Sequence, residues 1–232
     1  MGLGLGIAFV LVMFLVVGFM VFQARFAARH WRRVIAAGDQ DALVELLDMT
    51  FEACRVRRPP RGIAPADWRA LHTAALIAAD HRRARVSLLA EPDVQVVGGR
   101  RSEVGSAQDV ARRAAVRMVE RLLYEVPYVS FDEVQVDVHT EYRRPDGSVS
   151  SPCLLTTRAA RDVASYSDWE LRDEVAMLAE WQTREASPAA AADPDRDALL
   201  PSPAAEAGEP GERGDGDAAV RAAEQALRES RP

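Results

Sequence analysis

The longest apolar run in the chain lies at its start, over residues 2–22. It reads GLGLGIAFVLVMFLVVGFMVF and contains no charged and no strongly polar side chain. A helix rising about 1.5 Å per residue would span roughly 31 Å over this run, which matches the hydrocarbon core of a bilayer. A signal peptide would need a basic start and a shorter apolar run. The pattern therefore predicts a retained transmembrane anchor in residues 1–23, surrounded by lipid over residues 2–22.

Four arginines follow this run and precede the first acidic residue; they are Arg25, Arg29, Arg32 and Arg33. Because positive flanks stay on the cytoplasmic side of a membrane, we expect the N-terminus outside and the rest of the chain inside the cell. The same four arginines would contact the membrane surface. Gly2 and Gly6 also form a small-xxx-small pair, which can support weak self-association of such helices.

Residues 24–61 show a helical period on both sides of Gly38 and Asp39, followed by a basic linker with two prolines. Glycine favours a left-handed helix end, and aspartate caps the start of the next helix. The stretch WRRVIAAGDQDALVELL resembles the opening helices of the nuclear-transport-factor-like cone fold, including its membrane-linked import-motor family. That resemblance implies a cone-shaped pocket or a protein-docking surface, with no residue that can be assigned as catalytic.

Residues 62–184 carry the pattern of one small domain. The apolar spacing predicts mostly helix over residues 63–89, a short strand over residues 93–97, and a helix that begins with the capping box of Ser106 and Asp109. A second capping box at Ser167 predicts another helix, up to about Arg184. The overall prediction is a helix-rich α+β domain.

A period of two over residues 131–142 marks the clearest strand, with Val134, Val136 and Val138 alternating with polar residues. Arg144-Pro-Asp-Gly147 is a typical turn sequence, because proline presets one backbone angle and glycine accepts a positive φ. An apolar stretch follows this turn. Residues 131–158 are therefore predicted to form a β-hairpin.

Three polar residues of this strand are the only candidates for catalysis: Asp137, His139 and Glu141. They project from one strand face at steps of about 6.6 Å. Two carboxylates and an imidazole can hold a metal or transfer protons. Alternation alone also predicts polar residues on the outer face of a half-buried strand. No motif elsewhere in the sequence completes a site, so no cofactor and no metal are assigned.

The amino-acid composition changes near the end of the chain. Residues 185–216 are rich in alanine and proline and carry eight acids against two arginines. Such a stretch has little apolar surface to bury, so it is predicted to be a disordered acidic linker. Residues 217–232 could form a short terminal helix that folds on a partner.

Composition excludes several chemistries. The chain contains 29 arginines, no lysine and no asparagine, which suggests a GC-rich bacterial genome and hence a bacterial inner membrane for the anchor. A Schiff-base lysine, a phosphate-loop lysine and N-glycosylation are all impossible. Cys54 and Cys153 are too far apart in sequence for a zinc motif or a redox pair. Residues 1–184 carry no net charge, so nucleic-acid binding is not expected.

Together these patterns predict a membrane-anchored cytoplasmic protein that acts as a binding or adaptor module without a catalytic motif. The alternative is a membrane-anchored enzyme or small-ligand-binding domain with a cone-like fold. It would use Asp137, His139 and Glu141.

Overall fold

The computed structural model describes residues 2–36, 38–97, 99–144, 146–171, 173–187 and 189–202. Seven helical segments lie within these ranges: α1 (Gly2–Ala36), α2 (Gln40–Val56), α3 (Pro65–His72), α4 (Ala107–Glu120), a π-helical turn (Arg121–Glu125), α5 (Arg161–Ala164) and α6 (Glu174–Glu180). Nine strands accompany them: β1 (Ala75–Ala79), β2 (Arg83–Leu89), β3 (Asp93–Val97), β4 (Arg100–Gly105), β5 (Glu133–His139), β6 (Tyr142–Arg143), β7 (Val149–Ser150), β8 (Cys153–Ala160) and β9 (Gln182–Glu185).

A central sheet of five strands organises the described chain, in the order β1-β2-β5-β8-β9. All neighbours are antiparallel except β2 and β5, which run parallel. A parallel pair needs a crossover connection, and α4 lies within the connection here. The arrangement is mixed α/β, so the prediction of a helix-rich α+β fold is wrong.

The largest error of the sequence-based prediction concerns residues 63–89, for which the pattern predicts mostly helix. The helix α3 ends at His72, and the next residues form the antiparallel strands β1 and β2. The Asp80 carboxylate accepts hydrogen bonds from the main-chain N–H groups of Arg82 and Arg83 and so closes the turn between the strands. Alanine favours a helix, but pairing in the sheet overrides this local preference.

The hydrophobic core lies between α4 and one face of the sheet. On α4 the inward side chains follow a helical period and belong to Val110, Ala114, Met118 and Val119. On the sheet they follow a period of two and belong to Ala84, Val86, Leu88, Val134, Val136, Val138 and Leu155. The predicted antiparallel pairing within residues 131–158 is confirmed, with Val136 opposite Thr157.

The helical hairpin around Gly38 and Asp39 is also confirmed. Gly38 has a φ of +83°, a conformation that side-chain-bearing residues rarely adopt. The Asp39 carboxylate accepts a hydrogen bond from the N–H of Ala42 at 3.1 Å and caps α2. Leu43 and Leu47 then bury the inner face of α2.

The predicted membrane anchor is not supported. Among the described residues, no helix is long and apolar enough to cross a membrane. The transmembrane helix, the outside-to-inside topology and the inner-membrane location are therefore corrected.

The residues that were expected to contact the membrane surface or to support self-association lie on α1. Arg25, Arg29 and Arg33 are exposed on α1. At Gly2, Gly6 and Arg32 the structure describes only the helical backbone.

Part of the predicted disordered tail packs on the domain. Residues 189–202 are described, and Ala192 and Leu199 are buried. This corrects the prediction of disorder for that part of residues 185–216. Hydrogen bonds from arginines add to this burial and hold the segment in place. Residues 203–232, including the predicted terminal helix over 217–232, lie outside the described residues.

Candidate functional site

The sheet face opposite α4 is polar, although its centre is buried. Alternation along β2, β5, β8 and β9 brings polar side chains onto it, among them Arg83, Arg85, Gln135, Asp137, Thr156, Arg158 and Arg184. We call these residues the polar face. At its centre Arg85 is 1% exposed and Asp137 is 0% exposed. Buried charge is costly unless it is paired, so the partners of these two residues define the site.

The Arg85 guanidinium has a partner in every direction. Its Nε donates to Asp137 Oδ2 at 2.7 Å, and Nη2 lies 2.8 Å from Asp195 Oδ1. The same group donates to the main-chain carbonyl oxygens of Leu200 at 3.0 Å and Pro194 at 3.1 Å. Burial opposes the charged form, but Asp137 and Asp195 outweigh it and raise the pKa of Arg85.

Gln135 and Thr156 complete the network around Asp137. The Thr156 hydroxyl donates to Asp137 Oδ1 at 2.6 Å, and Gln135 Nε2 donates to the same oxygen at 2.9 Å. Gln135 also reaches the covering segment, donating to the Pro194 carbonyl at 3.0 Å and accepting from the Leu199 N–H at 2.7 Å. The amide of Gln135 therefore links the buried ion pair to the segment above it.

That covering segment, which we call the strap, consists of residues 193–200. Three further arginines bind its main chain. Arg83 donates to the carbonyl of Leu199 at 3.3 Å, Arg158 to that of Asp197 at 2.9 Å, and Arg184 to that of Arg196 at 2.5 Å. With Arg85 included, a total of four arginines from three strands bind five carbonyl oxygens of the strap.

Charge and backbone shape add to this attachment. Arg184 Nη2 lies 2.8 Å from Asp197 Oδ2, so two strap aspartates pair with arginines of the polar face. Asp197 has a φ of +57°, in the left-handed region that aspartate tolerates better than most residues. The strap thus follows a specific path over the sheet.

A cleft of about 320 Å³ opens beside the strap. Its walls include residues of β5, β8, β9 and the strap: Gln135, Thr156, Arg158, Trp181, Gln182, Thr183, Arg184, Arg196 and Asp197. Two of the lining side chains, Arg158 and Trp181, have buried N–H groups with no hydrogen-bond partner in the described part of the chain. The lining also includes three arginines, Arg158, Arg184 and Arg196, so this cleft suits a group rich in acceptor oxygens.

The structure does not bring the three predicted catalytic candidates together as a site. Asp137 is enclosed by the polar face, whereas His139 is half-buried at the end of β5, with its Nδ1 3.4 Å from the Ser151 carbonyl. Glu141 is exposed beyond the strand. A register shift between β5 and β8 separates His139 from the regular pairing. The described residues also contain no group of three or more His, Cys, Asp or Glu that could hold a metal.

Sequence reasoning missed the arginines. A signal was present in β2, where Arg83 and Arg85 alternate with Ala84, Val86 and Leu88 in a period of two. The adjacent alanines led to a helix prediction instead. The partners in the strap have no sequence signal, because their main-chain carbonyls make most of the contacts.

Comparison with known proteins adds nothing to this picture. The chain matches no protein-family model, and no curated protein and no solved structure shows a significant similarity to it. The resemblance of the first helices to the cone fold therefore has no support beyond the residues that suggested it. The function must be argued from the geometry of the polar face.

Proposed function

We propose that this protein is a binding module whose polar face binds an extended acidic peptide, and that its own strap occupies this site. The supporting observation is that four arginines donate hydrogen bonds to five main-chain carbonyl oxygens of residues 193–200. Every peptide has such carbonyls, so a segment of another protein with the same path can make the same contacts.

The preference for an acidic partner follows from the side chains. Asp195 and Asp197 each pair with an arginine of the polar face. The cleft beside the strap is lined by Arg158, Arg184 and Arg196 and has room for a further carboxylate or carbonyl. An acidic peptide therefore complements both the charge and the hydrogen-bonding groups of the surface.

The enzyme alternative has less support. The Asp137 carboxylate accepts hydrogen bonds from Arg85, Gln135 and Thr156 and is fully buried, so no substrate reaches it while the strap is bound. The half-buried His139 and the exposed Glu141 have no shared pocket among those described.

Competition between the strap and a free peptide tests the proposal in the full-length chain. The probe is a fluorescein-labelled peptide with the sequence of residues 191–200, AADPDRDALL. Its affinity should be about tenfold higher for the D195N/D197N variant than for the wild type. Asp195 and Asp197 are the exposed members of their ion pairs, and each pair is worth roughly 0.2–1 kcal/mol, so removing both weakens the competing strap by about that factor.

Two controls isolate the polar face. Adding Arg184→Gln to the variant should weaken peptide binding at least fivefold, because Arg184 binds both a carbonyl and a carboxylate. Adding Arg82→Gln should change little, because Arg82 pairs with Asp132 and not with the strap. Equal peptide affinity for the wild type and the D195N/D197N variant, or no effect of Arg184→Gln, would contradict the proposal.

A further inference from the structure

A second candidate site surrounds the π-helical turn that follows α4. Two clefts, of about 400 and 360 Å³, share Arg121 and Glu125, the first and last residues of that turn. The larger cleft is lined by Leu46, Met49, Thr50, Ala53, Cys54, Arg57, Arg121, Glu125 and Pro127. The smaller is lined by Pro60, Arg61, Gly62, Ile63, Leu71, Arg117, Glu120, Arg121 and Glu125. We call the two together the Arg121 clefts.

The π-helical turn gives these clefts their shared wall. Leu122 and Leu123 within the turn are both buried in the core. The flanking residues Arg121 and Glu125 line both clefts instead. Single π-helical turns are rare, are held at a cost in backbone hydrogen bonding, and occur frequently at functional sites.

The charges of the Arg121 clefts favour an anion. Four arginines and two glutamates line them, which leaves a net charge of about +2. Arg121 is the most enclosed of the shared pair: its guanidinium lies 5.9 Å from the ring of Trp68 and donates a hydrogen bond to Cys54 Sγ. Its Nε lies 3.3 Å from Glu125. These contacts fix the plane of the guanidinium at the junction of the two clefts.

The larger cleft also offers apolar surface. Leu46, Met49, Ala53 and Pro127 line it, and Met49 remains 47% exposed although it lies on a packed helix. A volume near 400 Å³ falls within the range of small-molecule sites. Apolar walls next to an oriented guanidinium are the usual combination for an organic acid.

We propose that the Arg121 clefts bind a small organic anion. Its apolar body packs against Leu46, Met49 and Ala53, and its carboxylate or phosphate head pairs with Arg121. This site is independent of the proposed peptide-binding function, because none of its lining residues belongs to the polar face or the strap.

Cys54 provides a built-in reporter. It is 6% exposed and lines the larger cleft beside Arg121. Iodoacetate and iodoacetamide alkylate a thiolate by the same displacement, in which a carbon–sulfur bond forms and iodide leaves, but only iodoacetate is an anion. Cys153 is an internal control, because it is buried and does not line this cleft. Burial, together with the charge of Asp137, raises the pKa of the Cys153 thiol to about 12.

The test measures, by mass spectrometry, the rates at which the two reagents alkylate Cys54 in the full chain. These rates are compared with the rates for free cysteine. The ratio of the iodoacetate rate to the iodoacetamide rate should be at least tenfold higher at Cys54. Arg121→Gln should remove this preference. Arg57→Gln, which changes an exposed wall residue and leaves the core contacts intact, should reduce it severalfold even if Arg121→Gln impairs folding.

Protection experiments distinguish the head groups. Millimolar octanoate or octyl phosphate should slow the alkylation of Cys54 by iodoacetamide severalfold, whereas octanol should not. The anion that protects Cys54 more strongly identifies the preferred head group. An iodoacetate-to-iodoacetamide ratio equal to that of free cysteine would overturn the proposal. Equal protection by octanol and octanoate, or no reaction at Cys54 in the folded chain, would do so as well.

Discussion

The two faces of the central sheet are both buried, but they are closed in different ways. On the α4 face, Val86, Val134, Val136 and Val138 are all 0% exposed and pack against the helix. On the polar face, Arg85, Gln135 and Asp137 at the centre are buried to a similar depth beneath the strap, where hydrogen bonds and ion pairs hold them. The free energy of apolar packing depends little on the orientation of the side chains. Each contact of the polar face, in contrast, requires a donor and an acceptor at a defined distance and angle.

This difference supports the proposal that the cover of the polar face can be exchanged. Burying apolar surface is favourable in proportion to its area. Burying an ion pair costs desolvation energy that its attraction roughly offsets, so a strap held by such contacts is held with a small net free energy. Under the proposed function, the α4 face is the permanent side of the domain, and the polar face is the side that another peptide would compete for.

The largest expected effect comes from breaking the buried ion pair. Asp137→Ala leaves the Arg85 guanidinium without its closest partner, and removal of one member of a buried pair typically costs about 3–5 kcal/mol. We expect a loss of this size in the free energy of unfolding, measured from urea denaturation followed by circular dichroism.

The matched double variant refines that result. Arg85→Met combined with Asp137→Leu removes both charges and should recover much of the loss, because two apolar residues fill the site without a buried charge. If Asp137→Ala costs less than about 1 kcal/mol, then the polar face is not closed by its ion pair, and the contrast between the two faces fails.

A smaller effect is expected on the apolar face. Val136→Ala removes two buried methyl groups and should cost about 2 kcal/mol of unfolding free energy, as the sum of lost transfer energy and a residual cavity. Isothermal titration with the peptide of residues 191–200 should show unchanged affinity in the D195N/D197N background, because Val136 points away from the strap. A parallel loss of peptide affinity would show that the two faces are not independent.

The smallest expected effect is a pH dependence at the rim of the α4 face. Arg112 on α4 donates to both Glu185 carboxylate oxygens, at 2.9 and 2.6 Å, and thereby lowers the pKa of Glu185. A lowered folded-state pKa contributes stability above the ordinary glutamate value, and this stability is lost as the pH falls through the folded-state pKa. Glu185→Gln should therefore cost less than about 1 kcal/mol at pH 7 and nothing at low pH.

Thermal melts of the wild type and Glu185→Gln between pH 7 and pH 2 measure this difference. The two curves should converge at acidic pH. Curves that stay equally far apart at every pH would mean that the contact stabilises the domain through packing rather than through charge.

The sequence was informative where the contacts are local. Gly38 and Asp39 identified the boundary between α1 and α2, because a positive φ and a side-chain cap are short-range requirements. The capping box of Ser106 and Asp109 identified the start of α4, and its reciprocal hydrogen bonds are present. Alternation identified β5 and its pairing with β8. In each case the residues that determine the structure are close to one another in the chain.

Only the tertiary structure decided the sheet and the site. The alanine-rich residues 75–89 form strands because β2 can pair with both β1 and β5, and β5 lies about 50 positions away in the chain. The period of two placed Asp137 on the polar side of its strand but could not show whether that side is covered. The cover comes from residues 193–200, whose main-chain carbonyls bind the arginines. Every residue has a carbonyl, so no side-chain pattern could have predicted this contact.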